Sequence, residues 1–155
     1  MTDNNSYKWK KIANGIGSIA IVDLNAIPSA SGQNQIIEHY SGQGFVGQGY
    51  LESVPENGYN SWKIAARRGL EYAFALVSNN WIVTITKIEG RTLTDTNPTI
   101  VGYTVIRAFF EKISFQLDDN QIKTLEAFVL SSWTKPYKEL TPDFFNLSFT
   151  EHLID

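Results

Sequence analysis

The chain predicts an α+β fold: a three- to four-stranded sheet, two helices packed on it and a helical C-terminal extension. Three observations carry this. Ser61–Val77 places Trp62, Ala66, Leu70, Ala73, Phe74 and Val77 at helical spacing, giving one apolar stripe. Trp81–Ile88 (WIVTITKI) is rich in β-branched residues, which favour a pleated strand. Asn97-Pro98 then opens a second helix, because Asn caps free backbone amides and Pro is pre-set for the first helical turn.

The elements follow in order. Residues 1–11 read as a frayed polar tail or a first edge strand, with Trp9 among Lys8, Lys10 and Lys11. The sharper alternative there is an aromatic-basic contact for nucleic acid or an acidic partner. Ile16–Ile27 is a strand, and it is apolar on both alternating faces, as a covered strand is. Pro28 ends it, and Ser29–Asn34 is a loop. Gln35–Tyr40 is a shorter strand, expected to pair back on the first as an antiparallel hairpin. Gly42–Gly49 (GQGFVGQG) is a glycine-rich near-repeat, and Tyr50–Gly58 is a connector with Pro55 and Gly58.

Asn60 is the expected N-cap of the first helix, and Ser78-Asn79-Asn80 stops it. Glu89-Gly90 reads as the turn after the Trp81 strand. The second helix spans Pro98–Ser114, with an apolar surface too wide for a half-exposed helix. A third, Gln121–Trp133, is capped within Asp118–Asn120, and Pro136 ends that run. Thr141-Pro142 opens a final short helix through Leu147, or else Phe144, Phe145 and Phe149 pack as a tail.

At 155 residues the chain is read as one domain, long enough to bury a core. Its hydrophobic fraction of 43% and charged fraction of 19% describe a globular protein. Four Trp, seven Tyr and nine Phe supply core or recognition surface. The formal net charge of −3 lacks the basic excess on which phosphate binding depends. Without cysteine, disulfides and thiolate zinc sites are excluded. The polar start MTDNNSYKWKK has no apolar signal-like core. Apolar stretches fall well short of the roughly 20 residues that span a bilayer. A soluble, cytoplasmic protein without membrane contact is expected.

Gly42-Gln43-Gly44-Phe45-Val46-Gly47 formally fits G-x-G-x-x-G. A pyrophosphate site needs that turn to open directly into a helix, and here Gln48–Gly58 intervenes. A loop or bulge is the better reading. His39 and His152 are the only histidines, too few for a metal set, and read as structural. Asp118-Asp119 reads as a helix cap, not a catalytic pair. Asp23 and Glu38 are expected to face each other across the hairpin. Lys63, Arg67 and Arg68, with Lys87 or Arg91, form either a solvated face or a basic patch. Trp62, Trp81, Phe109 and Trp133 sit on amphipathic patterns and read as core.

The segment Gly90–Lys112 (GRTLTDTNPTIVGYTVIRAFFEK) resembles the stretch of elongation factor G domain IV that leads through a cap into an alanine-rich helix. Thr94 and Thr96 stand where that family has an acidic pair. Ile21–Tyr40 is similar to its paired strands and proline-containing loop, and Ser61–Phe74 falls where its first helix belongs. The likeness covers Ile12–Ile113, leaving residues 114–155 as an extension. It implies a mixed sheet with two helices on one side, as in the ribosomal protein S5 domain 2-like fold. It also implies loop tips that enter the ribosomal A site, here near Asn14–Ser18 and Ser29–Asn34.

The function expected is therefore a non-enzymatic binding module, with no catalytic residue, cofactor or metal. One partner class is the ribosome, with Lys63, Arg67 and Arg68 touching RNA or a ribosomal protein. The other is a dedicated protein partner, in an immunity or adaptor role, met by Gly44, Phe45 and Gly47. A small nucleotide-binding enzyme is the third reading.

Overall fold

The computed structural model describes residues 6–150. His152 lies outside the described residues.

The fold is α+β, with a mixed sheet carrying helices on one face. β1 (Ser6–Ala13) and β2 (Ile16–Pro28) pair antiparallel from Ala13↔Ile16 onward. Only Asn14 (φ 54°) and Gly15 (φ 77°) lie between them. Two successive positive φ angles make the tight turn whose twist matches the strands it joins. So Lys8, Trp9, Lys10 and Lys11 belong to a paired edge strand, and Ile16–Ser18 to β2 rather than to a loop tip.

β3 (Gln35–Glu38) corrects the expected hairpin. It runs parallel to β5 (Trp81–Gly90), with Ile36 opposite Val83, and does not pair with β2. Both edges of β2 are already occupied, by β1 and by β5. A parallel neighbour needs a long crossover, and α1 (Asn60–Leu76) supplies it. The Asn34 side chain holds the register, accepting from the Trp81 amide at 2.8 Å. β4 (Glu52–Ser53) joins the same edge of β5 further along, opposite Gly90 and Glu89. Among the described residues the sheet therefore has five strands, one of them inside the expected connector. Glu89-Gly90 ends the strand, and the turn falls one step later: the amides of Thr94, Asp95 and Thr96 all reach the Arg91 carbonyl.

α1 is preceded by Tyr59 in the left-handed region (φ 55°), and no side chain caps it, so Asn60 is the first helical residue and not the cap. α2 (Pro98–Lys112) starts as expected: the Asn97 side chain accepts from the Ile100 amide at 2.9 Å. α3 (Asp119–Ser131) opens with a reciprocal cap between Asp118 and Gln121.

α2 is buried almost all round. Ala20, Val22, Leu24, Val83, Ile85 and Ile88 supply the sheet face beneath the helices. α1 crosses beside α2, where Gly69 meets Gly102. α3 reaches back to β1 through Glu126, which accepts from Trp9 Nε1 at 3.3 Å. The last elements, β6 (Thr141–Asp143) and β7 (Ser148–Thr150), form a hairpin in place of the expected helix. Asp143 Oδ1 accepts the Phe145 and Asn146 amides, at 3.0 and 3.1 Å. That local bonding gives the backbone an alternative to helix. Phe144, from the hairpin turn, packs on Phe128 and lies against Gly102.

The opposite sheet face is open. Lys8 and Lys10 are exposed there, alternating with Tyr7 and the buried Trp9. Lys87 lies 3.6 Å from Asp23 and 3.7 Å from Glu89.

Candidate binding cleft

Two loops meet where β4 pairs with the end of β5. The first is the glycine-rich segment. It runs beside β4, with the Gly42 amide on Val54 O at 3.0 Å and the Gly44 amide on Ser53 O at 2.8 Å. A Cβ on Gly42 would fall 2.2 Å from the Ser53 carbonyl oxygen, so only glycine allows this approach. Gly44 turns the chain away at φ 79°. The segment makes one isolated antiparallel bridge, Gly44 to Ser53, and does not open into a helix.

The second loop, Arg91–Thr96, is pinned from three sides. Thr96 Oγ1 donates to Ile19 O at 2.6 Å and accepts the Arg91 amide at 2.8 Å. The Ile19 amide bonds Asp95 O at 2.8 Å. Arg91 is drawn sideways, with Nε on Asp95 Oδ1 at 3.1 Å and Nη1 toward Gly49 O at 3.4 Å.

Glu52 joins the two loops to α1. It is only 2% exposed. Its Oε1 accepts from Tyr59 Oη and Thr92 Oγ1, each at 2.6 Å, and its Oε2 accepts the Thr92 amide at 2.9 Å. A buried carboxylate needs such partners, because leaving it dry and unpaired is very costly. All three donors are neutral. Among the described residues no Lys, Arg or His pairs with it. Burial, then the hydrogen bond to Glu52 and its charge, push the Tyr59 hydroxyl up to about 12.

Above Glu52 lies an open cleft of about 480 Å³, walled by Phe45, Tyr59, Trp62, Thr92 and Leu93. The Tyr59 and Trp62 rings meet edge to face, 5.0 Å between centroids. Phe45 is 53% exposed and Leu93 63%; Val46 is exposed on the glycine loop, and Tyr50 and Leu51 at the start of the connector that follows it.

The expected basic residues are tied into contacts within the chain. Arg67 bridges α1 to β3, with Nη1 on Glu38 Oε1 at 2.9 Å. Arg68 turns to the C-terminal hairpin, donating to Thr141 Oγ1 at 3.0 Å, Pro142 O at 3.3 Å and Thr150 Oγ1. Lys63 donates to Glu56 O at 2.8 Å and sits 5.2 Å from the centre of the Tyr40 ring. Burial lowers its pKa. Lys87 lies on the open sheet face and Arg91 on the loop, so these cations serve separate internal contacts. Phe45, by contrast, stands at the cleft rim, with Gly44 and Gly47 shaping its loop.

Asp23 and Glu38 do not face each other. Asp23 accepts from Ser6 and lies near Lys87, while Glu38 holds Arg67 and Tyr40. His39, Glu38, Tyr40, Glu56 and Lys63 line a second, polar cavity of about 640 Å³. Among the described residues no group of three His, Cys, Asp or Glu is placed to hold a metal, and no helix is long and apolar enough to cross a membrane. Trp62 and Phe109 are core, and Trp133 Nε1 donates to Ser18 Oγ at 2.9 Å. Trp62 also lends an edge to the cleft. Glu52 and Tyr59 are absent from the sequence reading. Their faint signal is a single carboxylate inside the apolar-flanked stretch Tyr50–Val54.

No family model and no curated protein matches this chain.

Proposed function

We propose that the chain is a non-enzymatic binding module that docks a protein partner on the surface formed by the glycine loop and the Arg91–Thr96 loop. The observation that carries this is the exposed apolar rim of Phe45 and Leu93 at a cleft of small-ligand size, with Val46 exposed next to Phe45 on the glycine loop. Buried aromatic anchors ringed by near-neutral contacts are how protein interfaces concentrate their energy. Glu52 supports the reading. With three donors in fixed geometry it shapes a surface.

The test is capture of partners by the tagged full chain in lysate from its own source, followed by dissociation kinetics of the isolated pair. Phe45→Ala should raise the dissociation rate at least about tenfold, since most interface changes act there. An unchanged rate removes the loop from the interface.

A second reading is association with the translation machinery, as the likeness to elongation factor G domain IV implies. It is supported by the succession of four strands, helix, strand and helix, and by the mixed sheet with its helices on one face. The exposed Lys8 and Lys10 on the open sheet face are the cations this reading would use, in place of Lys63, Arg67 and Arg68. Ribosome co-sedimentation that falls with salt and with Lys8→Glu plus Lys10→Glu would favour it. Co-sedimentation indifferent to both would set it aside.

A further inference from the structure

We infer that the cleft above Glu52 takes a lysine side chain presented by the protein partner. The inference rests on the reading of this surface as a protein-docking site, and names the group that enters it.

The charge argument comes first. Glu52 is buried at the base of the cleft, and its three partners are neutral. Arg91, next in sequence to Thr92, is turned away to Asp95 and Gly49. Among the described residues no Lys, Arg or His pairs with Glu52 at the base of the cleft, and a ligand cation would supply that partner.

The walls give the second constraint. Tyr59, Trp62 and Phe45 supply aromatic surface and Leu93 adds an apolar rim. A long aliphatic stem packs on such walls while its charged head stays at a polar point.

The unused acceptor position decides between the two basic side chains. A carboxylate oxygen has two lone pairs. Oε1 already accepts two bonds and Oε2 one, so a single acceptor position remains. A guanidinium binds carboxylates best as a two-pronged fork, which needs both oxygens free. An ammonium is a point donor and needs only one. The cleft fits lysine.

The experiment is an amide and indole NMR titration of the full chain with three probes: Nα-acetyl-lysine methylamide, its arginine counterpart, and its uncharged norleucine counterpart. The lysine probe should shift Thr92, Tyr59 and the Trp62 indole saturably, and bind at least about tenfold more tightly than the other two. Glu52→Gln should remove that preference. Because Glu52→Gln disturbs a buried network and can unfold the chain, Phe45→Ala serves as the second variant. It lies at the exposed rim and should weaken the lysine probe with the rest of the spectrum intact. Equal binding of lysine and norleucine probes, tighter binding of the arginine probe, or no shift in the cleft with any probe overturns the inference. None of those outcomes touches the docking reading, which falls separately if Phe45→Ala leaves partner dissociation unchanged.

Discussion

Gly69 and Gly102 face each other where α1 crosses α2. A Cβ on Gly69 would sit 2.4 Å from the Gly102 carbonyl oxygen, and one on Gly102 would sit 2.8 Å from the Ala65 carbonyl oxygen. Glycine inside a helix ordinarily costs about 0.5–1 kcal/mol relative to alanine. Here the missing side chains let two backbones approach. That close crossing seats α1 on the sheet, and with it Tyr59 and Trp62, which wall the cleft.

The sign of Gly69→Ala is therefore inverted from that of an exposed helical glycine. Forcing a methyl group against backbone atoms costs about 1–3 kcal/mol, more than the gain in helix propensity. Urea unfolding should show a lower midpoint with an unchanged slope. A raised midpoint would mean that the helices are not held this close.

Arg68 carries a second consequence. Read as part of a basic patch, it should matter for nucleic acid. In the structure it ties α1 to both strands of the C-terminal hairpin through Thr141, Pro142 and Thr150. Arg68→Met keeps the stem and removes the donors. Hydrogen exchange should then quicken across Thr141–Thr150, while β5, central in the sheet, keeps its protection, because local elements open independently of the core. The loss should be about 1–3 kcal/mol, the scale for hydrogen bonds from a charged donor. Exchange that rises equally in β5, or in neither segment, would contradict this local role.

What the sequence made legible follows physical range. The starts of α2 and α3 are written in neighbouring residues, Asn97-Pro98 and Asp118 to Gln121, and both caps form. The β1–β2 turn is equally local, in Asn14-Gly15, yet the sequence reading placed a broader loop tip there. The pairing of β3 is not local. Gln35–Glu38 finds its partner beyond α1, and only the occupied edges of β2 exclude the expected hairpin. Glu52 is harder still. In sequence it is a polar residue of a connector. Its burial depends on Tyr59, seven residues on, and on Thr92, forty residues on. The contacts of Lys63, Arg67 and Arg68 are hidden for the same reason: their partners arrive from the connector, β3 and the C-terminal hairpin.

Three tyrosines, the buried Tyr103 and the half-buried Tyr40 and Tyr59, set the alkaline limit of the fold. Burial raises the pKa of Tyr40, Tyr59 and Tyr103, and a carboxylate bonded to each hydroxyl adds to the rise: Glu38, Glu52 and Glu126 in turn. A pKa raised in the folded state contributes stability that is fully present below the unfolded value, near pH 10. That stability is lost as pH climbs through the folded value. For Tyr59 the window runs from about pH 10 to about 12. Lys63, whose pKa burial lowers, acts in the opposite direction: its desolvation penalty is relieved once it loses its proton. The melting temperature should therefore fall above pH 10, with the tyrosinate absorbance of these residues appearing together with loss of helical circular dichroism. Tyr59→Phe should flatten that fall. At neutral pH the same change should cost about 1–3 kcal/mol, because Glu52 loses one of its three donors. Tyrosinate absorbance that develops fully near pH 10 with helices intact would show that these hydroxyls are not held by Glu38, Glu52 and Glu126.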